Sequence, residues 1–76
     1  MADIRIRDEF IKLGQALKLA GVADSGVDAK VMIEDGKVLV NGVVETRRGK
    51  KLHDGDVVSI GEQSFTVLAP AAEVSD

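Results

Sequence analysis

Four basic side chains lie close together in the second half of the sequence, and they carry its most evident chemistry. They occupy one short stretch with no acidic residue between them: Arg47, Arg48, Lys50 and Lys51. A guanidinium can bind two phosphate oxygens at once, and ammonium groups add mobile point charges. Such a cluster suits a polyanion better than a single carboxylate. A solvated, solubilising loop is the competing interpretation, since basic clusters are common on protein surfaces.

Other polar residues could extend this basic stretch. Lys12, Lys18 and Lys30 lie off the apolar stripes of two predicted helices, and Lys18 and Lys30 are candidates for phosphate contact. Ser25 opens the second helix, where free backbone N–H groups can accept a phosphate. Capping is the commoner role for such a serine, and Asp28 competes for the same positive helix end.

The residue types of a catalytic or metal site are scarce. The chain has one histidine, His53, and no cysteine, so neither a Ser-His nor a Cys-His nucleophile arrangement has its parts. Asp54 and Asp56 lack the further ligands of a calcium loop and are interpreted as turn residues. No phosphate-binding glycine motif occurs. We therefore expect no enzyme activity, metal, cofactor or small-molecule substrate. Both phenylalanines, Phe10 and Phe65, fall on predicted core positions, which argues against recognition of bases by stacking.

Length and composition indicate one small globular domain. The chain has 76 residues, which is too short for a second core. Of these residues 45% are hydrophobic and 30% are charged, as in globular proteins. The absence of cysteine suits the cytoplasm, and no apolar run approaches the roughly 20 residues that span a bilayer. The net charge of −3 argues against a polyanion partner, but screening beyond about 8 Å makes the local distribution decisive.

Hydrophobic periodicity predicts two helices that position these residues. Spacings of three and four residues over 8–20 predict the first helix, with Asp8 and Glu9 in its first turn. After a short linker, Ser25 and Asp28 have the spacing of a capping box, and Gly36 is the expected end of the second helix.

The remaining segments alternate as strands do. Apolar alternation predicts a first strand at residues 4–6, and Asn41-Gly42 predicts a tight hairpin that pairs Val40 with Val43. Further strands are expected at residues 57–60 and 64–68. The predicted fold is α+β, with two short helices packed on a small antiparallel sheet of three to five strands. Residues 1–69 form the domain, and residues 70–76 are expected to be a disordered tail.

These segments resemble a known family. The motifs are Ser25-Gly26-x-x-Ala29-Lys30, Gly36-x-Val38-x-Val40-Asn41-Gly42-x-x-Glu45-x-Arg47 and Lys51-Leu52-x-x-Gly55-Asp56-x-Val58. Over about residues 8–68 the chain is similar to the αL RNA-binding domain named after ribosomal small-subunit protein four, the S-four domain, and to its stand-alone YbcJ-like form in bacteria. Many members have an arginine in place of Gly26, and many begin the first helix with Arg-Leu-Asp where this chain has Asp8-Glu9-Phe10.

The resemblance implies a module that binds structured RNA of the ribosomal or transfer class, and we expect it to be cytoplasmic and monomeric. The expected phosphate contacts come from the basic stretch, residues 47–51, and from the helix edge. Asn41, Gly42 and Glu45 are expected to serve chiefly the geometry of the hairpin. Four or five contacts give a log–log salt slope of about −3 to −4. The alternative is a protein-interaction adaptor that recruits a partner strand through its exposed hairpin edge.

Overall fold

The computed structural model describes residues 2–70, which form two helices, a five-stranded sheet and a two-stranded ribbon. The helices are α1, Leu13–Leu19, and α2, Gly26–Glu34. The strands are β1, Ala2–Arg5; β2, Phe10–Lys12; β3, Val38–Val40; β4, Val43–Val44; β5, Lys51–His53; β6, Val57–Ile60; and β7, Gln63–Leu68. The predicted α+β class is confirmed. The predicted tail falls, apart from Pro70, outside the described residues.

The main sheet has the order β1-β7-β6-β3-β4 and is mixed. Its neighbours are antiparallel except β1 and β7, which pair in parallel with Ile4 opposite Val67. The expectation of a wholly antiparallel sheet is therefore wrong at this edge. All the other helices and strands lie between β1 and β7 in sequence, and a connection of that length allows the two strands to pair in parallel. The alternation around Ile4 is confirmed, because Ile4 is buried while Asp3 and Arg5 are exposed.

The β3–β4 hairpin follows the predicted geometry. Asn41 and Gly42 have φ angles of 52° and 85°, and Val40 pairs with Val43. Asn and Gly are the residues that tolerate two successive positive φ angles at low cost. The Asn41 side chain also accepts a hydrogen bond from the Val57 amide at 2.9 Å and donates one to Asp56 Oδ1 at 3.1 Å. The hairpin is thus fixed to the start of β6.

The first predicted helix begins later than expected. Residues 10–12 form β2, which pairs with β5 so that Ile11 lies opposite Leu52, and α1 starts only at Leu13. The prediction of a helix over 8–20 is wrong for its first turns, because pairing with a distant strand overrides a local helical spacing. Phe10 consequently lies at the surface, 37% exposed, and not in the core.

Helix α2 agrees with the prediction at both ends. Ser25 Oγ accepts a hydrogen bond from the Asp28 amide at 3.2 Å, and Gly36, with a φ of 76°, follows the last turn. A serine cap and a left-handed glycine are the usual signals for these two ends. Because the ends are fixed, the orientation of the side chains along α2 is fixed as well.

The core lies between the helices and the main sheet. It consists of thirteen buried apolar residues: Ile4, Leu13, Ala16, Leu17, Ala23, Ala29, Ile33, Val38, Val40, Leu52, Val58, Phe65 and Val67. Each larger side chain contributes about 1.5–3 kcal/mol on burial. Leu52 is the member that joins the β2–β5 ribbon to this core, so the ribbon holds a fixed position beside α1. No helix in residues 2–70 is long and apolar enough to cross a membrane.

Candidate nucleic-acid interface

The basic loop, residues 45–50, is bound to the start of α1 by its own backbone. The Leu13 amide donates to the Lys50 carbonyl at 2.8 Å, and the Gly14 amide donates to the Arg48 carbonyl at 3.1 Å. Amides in the first turn of a helix have no partner within the helix, so the loop carbonyls supply one. The loop therefore has a defined position against the helix.

Gly14 allows the Arg48 side chain to cross the helix surface. A Cβ atom built on Gly14 would lie 2.8 Å from Arg48 Cγ and 3.4 Å from Arg48 Cδ. Carbon atoms do not pack at 2.8 Å, so any larger residue here would force the arginine stem away. The glycine thus creates the space in which the arginine stem lies against α1.

Arg48 lies on the wall of a groove of about 350 Å³ between the loop, α1 and the first turn of α2, called the helix groove below. Its lining residues are Lys12, Gly14, Gln15, Lys18, Gly26, Arg48 and Gly49. Three of these residues are cationic and none is acidic. At Gly26 and Gly49 a Cβ would meet nothing within 4 Å, so the backbone there is open to close approach by a phosphate.

Arg47, the neighbour of Arg48, is held by a carboxylate. Its Nε lies 3.1 Å from Glu45 Oε2, and its amide donates to the same oxygen at 3.0 Å. The Arg47 side chain is 77% exposed, whereas that of Glu45 is 15% exposed. The hydrogen bond from Arg47 lowers the pKa of Glu45 below its ordinary value, and Glu45 raises the pKa of Arg47. Glu45 comes directly after the β3–β4 hairpin, and its carboxylate offsets part of the charge of the basic stretch.

The two lysines of the basic stretch lie on the other side of the loop. Lys50 and Lys51 line a depression of about 360 Å³, the hairpin depression, together with Val40, Asn41, Val43, Glu45, His53 and Asp56. Lys51 belongs to β5 and not to the loop. The four predicted cations therefore do not form one cluster. Arg48 lies beside the helices, Lys50 and Lys51 lie beside the hairpin, and Arg47 contacts Glu45.

The β2–β5 ribbon joins these two sites. Lys12 lines the helix groove, Lys51 lines the hairpin depression, and the two residues are directly opposite each other across the ribbon. Like charges in that position disfavour strand pairing. The cations of the helix groove, the ribbon and the hairpin depression are called the cationic track below: Lys18, Arg48, Lys12, Lys51 and Lys50. Glu45 and Asp56 share the hairpin depression with the last two.

The two remaining predicted site residues lie next to the helix groove and do not line it. Ser25 precedes the lining residue Gly26 and uses its hydroxyl as the α2 cap. Lys30 is exposed and follows Gly26 by one helical turn, so both lie on one face of α2.

The sequence alone assigned no site role to five lining residues. Lys12 is expected from the sequence to lie off the apolar stripe and near the basic stretch, without a phosphate contact of its own, and no part in a site is expected for Gly14, Gln15, Gly26 or Gly49. The sequence held one signal, since a glycine inside a predicted helix is costly and marks a close approach of another chain segment.

Comparison with known proteins identifies the family of this fold. The pattern of the family described as S4 domain, the S-four domain of ribosomal small-subunit protein four, matches residues 4–68. RlbA of Bacillus subtilis, named as a probable ribosome maturation protein, is 52% identical over 66 residues, which cover 86% of this chain and 93% of that protein. YbcJ of Escherichia coli is 42% identical over 59 residues, which cover 78% of this chain and 84% of YbcJ.

The solved structures give the same relationship. The solution structure of YbcJ, described as revealing an αL motif involved in RNA binding, matches with a TM-score of 0.71 and 38% identity. The match covers 91% of this chain and 89% of the YbcJ chain. This chain belongs to the S4 domain family.

Proposed function

We propose that this chain is a cytoplasmic RNA-binding module that holds structured RNA, of the ribosomal or transfer class, through its phosphate backbone. The chain carries out no reaction on the RNA and acts as a monomer. The residues proposed to contact or frame the RNA are Lys12, Lys18, Ser25, Lys30, Arg47, Arg48, Lys50 and Lys51. The names of RlbA and YbcJ's αL motif support a partner of this class.

The observation that carries the proposal is the helix groove, which has three cations and no carboxylate in its lining and which the ribbon connects to Lys51. Lys18, Lys12 and Arg48 line one groove without a carboxylate, and Lys12 opposes Lys51 across the ribbon. The chain as a whole has a net charge of −3, so this positive surface is local. A polyanion whose charges repeat along a rigid path fits a track better than it fits an isolated cation.

Individual residues contribute unequally in this proposal. Arg48, Lys12 and Lys18 have no carboxylate beside them in the helix groove and dominate the binding free energy. Arg47 contributes less, because Glu45 holds its guanidinium. Ser25 serves chiefly as the α2 cap, so that Gly26 presents its backbone to the groove.

The experiment compares two double variants with the same loss of charge. Lys18→Gln with Arg48→Gln removes two cations from the helix groove. Arg5→Gln with Lys37→Gln removes two exposed cations, one on edge strand β1 and one after α2, from outside the track. Filter binding to transfer RNA and to ribosomal RNA fragments, over a series of salt concentrations, gives the affinity and the salt slope.

The groove variant should bind at least about tenfold more weakly, with a slope reduced in magnitude by about 1.5. The control variant should retain most of its affinity, with circular dichroism of both unchanged. Equal losses in the two variants would contradict the track, because they would indicate a general charge effect.

The adaptor alternative has one observation in its favour. Strand β4 forms an edge of the sheet, and its Val43 and Val44 are 69% and 52% exposed. The strand has only two residues, so it offers few hydrogen bonds to an added strand. Material that co-purifies with the chain and disappears after ribonuclease treatment favours RNA binding, whereas material that persists favours the adaptor.

A further inference from the structure

The outer face of the β2–β5 ribbon combines two rings with two cations. Phe10 pairs with His53 and Lys12 pairs with Lys51, and all four residues are exposed. The alternate residues Ile11 and Leu52 point towards the core, as the period of a strand requires. Pairing therefore places two aromatic rings and two ammonium groups on one small solvent-facing surface.

Phe10 is held in place at this surface. Its ring is 6.2 Å from the His53 ring, with an interplanar angle of 50°, and Lys51 Nζ lies 4.7 Å from the ring centroid. The other phenylalanine, Phe65, is fully packed in the core, and the chain has no tyrosine or tryptophan. Phe10 is thus an exposed phenylalanine whose ring lies next to the Lys51 ammonium group, outside the core.

The composition of this surface identifies the ligand it fits. An apolar protein partner would leave the ammonium groups of Lys12 and Lys51 desolvated without counter-charges. Asp56, a carboxylate that contacts the ribbon backbone, already accepts hydrogen bonds from the His53 amide at 2.7 Å and from Asn41 at 3.1 Å. A nucleotide supplies both requirements, since its base offers a flat π-face and its phosphates offer negative charge.

We propose that the ribbon face binds an unpaired RNA base, which stacks on Phe10 while Lys12 and Lys51 contact the phosphates on either side. This inference rests on the proposed function, because the cationic track holds the adjoining duplex. Lys51 covers the ring in the free protein. On binding, its flexible stem moves Nζ from the ring to a phosphate and the base takes its place. Base stacking is generally the stronger of the two ring contacts, so the exchange is favourable.

The proposal changes the expected RNA class and corrects the reasoning from sequence. Stacking was discounted because Phe10 was placed in the core. With Phe10 exposed beside the track, the preferred ligand is a helix that carries a bulge or adjoins a single strand. An uninterrupted duplex would engage the helix groove but leave the ribbon face empty.

The test uses RNA hairpins that differ at a single nucleotide. One hairpin has a one-adenosine bulge, and its control has an abasic sugar at the bulge, so the number of phosphates is unchanged. Phe10→Leu keeps an apolar side chain of similar size, whereas Phe10→Trp keeps a ring. The tryptophan would be the single one in the chain, so its fluorescence reports on the ribbon directly.

Wild-type protein should bind the bulged hairpin about fivefold to thirtyfold more tightly than the abasic one. Phe10→Leu should remove that difference and bind the abasic hairpin as the wild type does. Phe10→Trp should restore the difference, and its fluorescence should be quenched by the bulged hairpin but not by the abasic one.

Equal affinity of the wild type for the two hairpins, with no quenching in Phe10→Trp, overturns the stacking proposal and leaves the track intact. Failure of the wild type to bind either hairpin overturns the proposed function as well. If thermal unfolding shows no folded state for Phe10→Leu, the comparison of fluorescence quenching by the two hairpins in Phe10→Trp decides the outcome. Quenching by a protein fraction from which RNA has been removed, and not by the hairpins, would assign the surface to a protein partner.

Discussion

Replacing Gly14 with alanine should weaken RNA binding without unfolding the domain. The new Cβ would lie 2.8 Å from Arg48 Cγ, whereas ordinary contact begins at 3.4 Å. The Arg48 backbone is hydrogen bonded to α1, and its carbonyl oxygen would lie 3.7 Å from that Cβ. The side chain of Arg48 must therefore change rotamer. Its guanidinium lies further along the stem than Cγ, so it moves by more and leaves the helix groove.

The two expected magnitudes differ because stability and binding depend on different parts of this contact. Alanine is favoured over glycine in a helix by up to about 1 kcal/mol. A strained arginine rotamer costs about 0.5–1.5 kcal/mol. The free energy of unfolding of Gly14→Ala should thus stay within about 1 kcal/mol of the wild type. A lost charge-assisted hydrogen bond is about 1.5–3 kcal/mol, so RNA affinity should fall about tenfold to a hundredfold.

Fluorescence anisotropy with a labelled structured RNA, at several salt concentrations, measures the affinity, and urea unfolding measures stability. Gly14→Ala should also reduce the magnitude of the salt slope by about 0.8, equivalent to one phosphate contact. The Gly14→Ala, Arg48→Ala double variant should bind as Arg48→Ala does, because both changes remove the same contact. An additive loss in the double variant, or a Gly14→Ala protein that does not fold, would refute the reasoning.

Three further substitutions test neighbouring contacts. Asn41→Gly keeps the positive φ but loses two side-chain hydrogen bonds, so the free energy of unfolding by urea should fall by about 1–3 kcal/mol; no change would show that these bonds are dispensable. Glu45→Gln releases Arg47, and the salt slope for RNA should steepen by up to about 0.9 if Arg47 faces the RNA. The wild type should lose its stability advantage over Glu45→Gln as the pH falls through the lowered pKa of Glu45, because a depressed carboxylate pKa stabilises the fold only above that range. Ser25→Ala should cost about 1 kcal/mol in thermal or urea unfolding and leave the salt slope unchanged, since a neutral hydroxyl releases no counterion; a flatter slope would contradict a capping role.

Local rules of backbone geometry account for the parts of the fold that sequence predicted. Asn41-Gly42 specifies its turn through the φ angles that only a few residues tolerate, and Ser25 and Gly36 specify the ends of α2 through groups within a few positions of each other. The error at β2 has the opposite origin. Phe10 and Leu13 satisfy a helical spacing, but Ile11 is half-buried by pairing with Leu52, a contact that the local spacing does not report.

The candidate site divides in the same way. The basic stretch was evident from residue types alone, but the chain turns at Arg48-Gly49, where the Lys50 amide donates to the Arg47 carbonyl at 3.2 Å. Arg48 consequently lies beside the helices while Lys50 faces the hairpin, and Arg47 meets Glu45. Lys12 joins the site only through its pairing with Lys51.

The parallel pairing of β1 with β7 has a consequence for biosynthesis. These strands come from opposite ends of the described chain, so their contact has the greatest sequence separation in the fold. On a translating ribosome, the helices and the hairpin can assemble early, but β1 has no partner until β7 has left the exit tunnel. Ile4 therefore lacks its β7 neighbours until β7 has been synthesised, and long-range pairing of this kind slows folding.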